Sequence, residues 1–142
     1  MTNTIIAPLL ALMLLTFFVW CYMYFLRLQY VISNKIHAQK LTPEQCNTIL
    51  PSHINKPSNN FKNLFEAPII FYVICILSLL TELVDNTLVY LAWGFVVGRV
   101  IHSFCHCFAS SVTARFYAYF ISSIILWAML IKLTFSFVVL TY

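Results

Sequence analysis

Charged side chains are nearly missing from this chain. Asp, Glu, Lys and Arg make up 8% of its 142 residues, and only four of those are acidic. So little charge cannot cover a dissolved globule of this size, which excludes the ordinary soluble domain. Glycine occurs twice and proline five times, too few for a collagen-like, low-complexity or linker-rich chain. The five cysteines form neither a disulfide framework nor a zinc knuckle. Cys21, Cys75, Cys105 and Cys107 fall in apolar runs and Cys46 in a polar segment, and they read as small buried hydrophobes. Basic clusters interleaved with aromatics are lacking too, so the net charge of +4 does not point to nucleic acid.

What is present is apolar: 62% of the residues are hydrophobic and 17% aromatic. Four uninterrupted runs, 5–32, 61–80, 87–108 and 112–140, each reach the roughly 20 residues that cross a hydrocarbon core as helix. The predicted fold is all-α, a transmembrane four-helix bundle forming one domain over 1–142. Segment 33–60 carries Pro43, Pro51 and Pro57 and reads as a loop, with one short helix opening at Thr42-Pro43-Glu44. The first run has no Lys or Arg before it, so it is expected to be a retained span rather than a removable signal.

Lys35, Lys40, Lys56 and Lys62 lie in or beside the first loop, whereas Glu82 and Asp85 form an acidic turn. The positive-inside rule puts that loop and the Ser110 turn in the cytoplasm, with both termini outside. Lys132 lies close enough to a helix end to snorkel. No organellar address is legible, so a bacterial inner membrane is the expected location, ahead of the endoplasmic reticulum.

One run breaks the apolar rule. Arg99, His102 and His106, spaced i, i+3, i+7, stack on one helix face. With the expected topology they share a depth with Asn63, Glu66, Arg115 and Tyr119, within roughly 15 Å of the cytoplasmic surface. A structural account pairs Glu66 with Arg99, packs helices through Asn63, and makes Arg115 and Tyr119 interfacial anchors. His102 and His106 could ligate a metal, but a site needs more ligands and none is expected. The functional account is a small flexible anion: two arginines for carboxylates, Glu66 for an ammonium, and a cationic setting that favours a thiolate. Glutathione has those groups.

The same residues carry a family resemblance. Asn63-Leu64-Phe65-Glu66-Ala67-Pro68, Gly98-Arg99-Val100-Ile101-His102-Ser103 and Arg115-x-x-x-Tyr119 resemble, in order and spacing, motifs of the MAPEG family (membrane-associated proteins in eicosanoid and glutathione metabolism). The resemblance implies a homotrimer of four-helix bundles, with glutathione as co-substrate in clefts between subunits and a lipophilic second substrate entering from membrane lipid. Asn63, Glu66, His102, His106, Arg115 and Tyr119 would contact glutathione, His106 standing where better-known members often have tyrosine. Phe116 stands where the prostaglandin synthase members carry a serine, which leaves thiol activation to Arg115 or Arg99 as catalytic residues. The preceding run, arginine-rich in the family, reads Asn59-Asn60-Phe61-Lys62. The implied activity is a glutathione transferase or peroxidase acting on lipophilic electrophiles or lipid hydroperoxides. The alternative is a non-catalytic lipid-binding or scaffolding member of the same fold.

Overall fold

The computed structural model describes residues 5–37, 42–109 and 111–141; Lys40 and the expected turn residue Ser110 lie outside them. Within the described residues six helices follow in order: α1 (Ile6–Ser33), α2 (Pro43–Ile49), α3 (Ser52–Asn63), α4 (Ala67–Leu80), α5 (Asn86–Cys107) and α6 (Val112–Thr141). No strand occurs among the described residues. Among the described residues four paths are long and apolar enough to cross a membrane: α1, α3 with α4 (Ser52–Leu80), α5, and α6 over Val112–Leu140.

Segment 33–60 is not the loop its prolines suggest. Two of the three prolines start helices rather than break them. Pro43 opens α2 behind Thr42, whose hydroxyl accepts from the Gln45 N–H (3.4 Å), and Pro51 is the N-cap of α3. Proline suits such positions because its missing N–H would be unsatisfied there anyway. Only Pro57 lies inside a helix, and it is buried. Cys46, expected in a loop, packs in α2 with Leu50 and Ile54 against Leu26 and Tyr30 of α1. Arg27 of α1 donates to the Ser58 hydroxyl of α3 (2.9 Å), so this polar helix is bound to the bundle as well as lying beside it.

The second span is two helices because of Pro68. A proline removes the hydrogen bond to the carbonyl four residues earlier and its ring crowds that carbonyl, here Leu64. The chain leaves helical geometry at Glu66 (φ −97°, ψ −96°) and resumes as α4 with Pro68 in its first turn.

The bundle is inverted relative to a soluble protein. Phe25, Leu28, Ile32, Leu80 and Phe135 are exposed, while Asn60, Ser78, Arg99, His102, Ser103, His106 and Ser122 are buried. That is the arrangement a hydrocarbon solvent selects, since only polar groups turned inward find partners. One stripe of α5 shows how the interior is divided. Leu88, Ala92, Phe95 and Val96 join Phe71, Ile74, Leu126 and Met129 in an apolar core. From Arg99 on, the same face is polar: Arg99, His102, Ser103 and His106.

Candidate functional site

The polar half of that stripe faces the end of α3 and the first turns of α6. Asn60, fully buried, holds α3 against α5: its Oδ1 accepts from the Ser103 hydroxyl (3.4 Å) and its Nδ2 reaches Cys107 Sγ (3.7 Å). One turn later, α3 ends at Asn63. In an unbroken helix the Asn63 carbonyl would take the Ala67 N–H; here Arg99 Nη2 donates to it at 2.6 Å. The Arg99 guanidinium is 0% exposed and lies between the Phe95 and Tyr119 rings, 6.0 and 5.2 Å from their centroids. Its Nε and Nη1 have no acceptor among the described residues.

A hydrogen-bonded chain continues from Asn63. His102 Nδ1 lies 3.1 Å from the Arg115 carbonyl, which can only accept, so Nδ1 carries the proton. Nε2 is then left to accept from Asn63 Nδ2, at 3.5 Å. His102 also packs against Tyr119 and His106, at 5.5 and 5.6 Å between ring centroids. Three elements are thus tied through one imidazole: α3 by a side chain, α5 by the ring itself, and α6 by a backbone carbonyl.

An open cavity of about 230 Å³ forms where these elements meet, lined by Asn63, His102, Val112, Arg115, Phe116 and Tyr119. Four of the residues expected to contact glutathione therefore share one wall: Asn63, His102, Arg115 and Tyr119. The other two do not line it. Glu66 is exposed at the α3–α4 break and makes no contact ion pair with Arg99, although its charge still acts on the guanidinium from a distance, so the direct pairing expected from sequence is replaced by a longer-range one. The cause is the break itself, which turns the chain before α4 starts. His106 is buried beside His102, its Nδ1 without a partner among the described residues. Arg99 lies behind the wall, not on it. Among the described residues no third potential ligand joins His102 and His106 into a metal-binding group.

Sequence reasoning missed Asn60 and Val112 as parts of this region, whereas Phe116 was singled out by its place beside Arg115. Asn60 precedes Asn63 by one helical turn, a signal that becomes usable only once α3 is known to be helix. Phe116 follows Arg115 directly and faces the same opening, 61% exposed.

Four membrane-length helices around an inward polar layer with an open cavity define an integral, multi-pass membrane bundle with room for a small polar ligand. A family model narrows the class: the MAPEG family matches residues 5–135, and the chain belongs to that family of four-helix membrane proteins with glutathione-related transferase, peroxidase or related roles. No curated protein and no solved structure matched the chain.

Proposed function

We propose that this protein is a membrane glutathione transferase or peroxidase that acts on lipophilic electrophiles or lipid hydroperoxides. The observation that carries this reading is the cavity wall of Asn63, His102, Arg115 and Tyr119 inside a bundle of this family. The donor set suits glutathione: a guanidinium for a carboxylate or thiolate, an amide for peptide groups, and a phenol for either sign of hydrogen bond. Glu66, exposed one turn away, is free to meet the ammonium group. One subunit offers an open wall rather than an enclosed site, which supports closure by neighbouring copies in a homotrimer. The basic end of the bundle is read as cytoplasmic.

Arg115 is the arginine that reaches the cavity, so the thiol role falls to it. Its positive charge favours the ionised sulfur; the proton leaves to solvent and the sulfur bonds to the electrophilic carbon, whose leaving group departs. With a hydroperoxide, two glutathione molecules are oxidised to the disulfide while the hydroperoxide is reduced to alcohol and water. The purified protein should conjugate glutathione to a general aromatic electrophile, and Arg115→Ala should lower kcat/KM by about 100-fold. Folded protein without thiol conjugation or peroxide reduction contradicts the catalytic reading.

Phe116 supports a second reading. An apolar ring beside Arg115 gives the cavity mouth the character of a lipid-binding surface. Retained lipid together with indifference to glutathione would favour a binding or scaffolding role.

A further inference from the structure

Among the described residues Arg99 is the fully buried charge, yet it does not line the cavity, and the hydrogen bond it makes there goes to a backbone carbonyl. A charge sealed in a membrane bundle needs a reason. The reason lies five residues beyond Asn63, at Pro68. Proline breaks the helix, so the Asn63 carbonyl loses the Ala67 N–H and is left half-buried among the spans without its helical donor. Arg99 Nη2 supplies the missing donor. It also meets the negative end of the α3 dipole, where a cation is favoured.

We infer that Arg99 is a positioning residue: it caps the α3 end created by Pro68 and thereby sets Asn63 against His102 and, through His102, the first turn of α6 that carries Arg115. The chain is continuous on the structure. Arg99 fixes the Asn63 backbone, the Asn63 amide meets His102 Nε2, and His102 Nδ1 holds the Arg115 carbonyl. Tyr119, stacked over the guanidinium, is held from its buried side by the same group. Four cavity-lining residues, Asn63, His102, Arg115 and Tyr119, therefore depend on a side chain that does not itself reach the cavity. The Asn-x-x-Glu-x-Pro spacing acquires a physical meaning: the proline that ends one helix frees the carbonyl of the asparagine, and the arginine of α5 closes it.

This inference rests on the glutathione reading for its effect on turnover but not for its structural part, and the test separates the two. Thermal stability is measured for wild type, Arg99→Met, Pro68→Ala and the double variant in one detergent. Arg99→Met should lose several degrees in the native background. With Pro68→Ala the helix can run on and the Ala67 N–H can serve the Asn63 carbonyl, so most of that loss should disappear. Equal losses in both backgrounds overturn the cap.

Arg99→Lys, which retains one charged donor, supplies the second readout. A positioning role predicts a KM for glutathione raised about tenfold, a smaller change in kcat, and an unmoved pH profile of kcat. A fall mainly in kcat with a displaced pH profile would mean that Arg99 touches the reacting sulfur, which overturns the assignment. Wild type that ignores glutathione would defeat the functional reading alone, leaving the stability cycle to decide the cap.

Discussion

The ion pair between Lys132 Nζ and Asp85 Oδ2, 2.5 Å apart, replaces the free snorkelling that the position of Lys132 suggests. Asp85 has two tasks, because its Oδ1 also accepts from the Leu88 N–H (2.8 Å) as the N-cap of α5. Burial acts to raise the Asp85 carboxyl, but the Lys132 hydrogen bond and charge and the Leu88 N–H outweigh it, holding the group below its ordinary value. A depressed folded value stabilises the fold above the unfolded value, about 3.9, and that gain is lost as pH falls through the folded one. The pair is partly solvated, so the effect at neutral pH is small. Asp85→Asn keeps a cap oxygen and removes the charge. Its melting temperature should lie slightly below wild type at pH 7, and the difference should begin to shrink as pH falls past about 4 and vanish only below the depressed folded value. A difference that persists in acid contradicts this account of the pair.

Helix ends and helix contacts bear the mark of a chain with only two glycines. Both α1 and α4 end with left-handed residues, Lys35 (φ 51°) and Glu82 (φ 56°). After α4, Glu82 N–H bonds the Leu79 carbonyl (3.3 Å) and Leu83 N–H the Ser78 carbonyl (3.0 Å), the pattern of a Schellman cap. Glycine fills that position without steric cost, so Glu82→Gly should gain up to about 1 kcal/mol, read as a higher melting temperature. A loss would mean that the Glu82 side chain has a role its exposure does not suggest. Gly98 is needed for a different reason. A Cβ there would come within 2.8 Å of Ser122 Cβ, which cannot swing aside, so α5 and α6 pack together through a glycine and a serine. Gly98→Ala should cost about 1–3 kcal/mol and separate the helices beside Arg99. An unchanged melting temperature would show that α6 yields freely.

For the whole molecule, the membrane class and the helical bundle are legible in apolar run length alone, because hydrocarbon demands a span and forbids unpaired backbone. Which polar residues converge was legible as depth, from the positions of Arg99, His102, Asn63, Arg115 and Tyr119 along their spans. Which of them face a common space was not. That depends on the Pro68 break, which exposes Glu66, and on the α5 stripe turning Arg99 and His106 inward behind the wall. The α3 helix was hidden by reading Pro51 and Pro57 as breakers, and Asn60 was hidden with it. The account stands on one claim, that the Asn63–His102–Arg115–Tyr119 wall binds glutathione. Its most direct measurement is the melting temperature of detergent-purified protein against rising glutathione, with Arg115→Ala alongside. At about a hundred times the dissociation constant, bound ligand adds about 2.7 kcal/mol to the folded state. The account predicts that wild type gains this stability and that Arg115→Ala loses most of it at the same concentration. No gain in folded wild type, or an equal gain in both proteins, would contradict it.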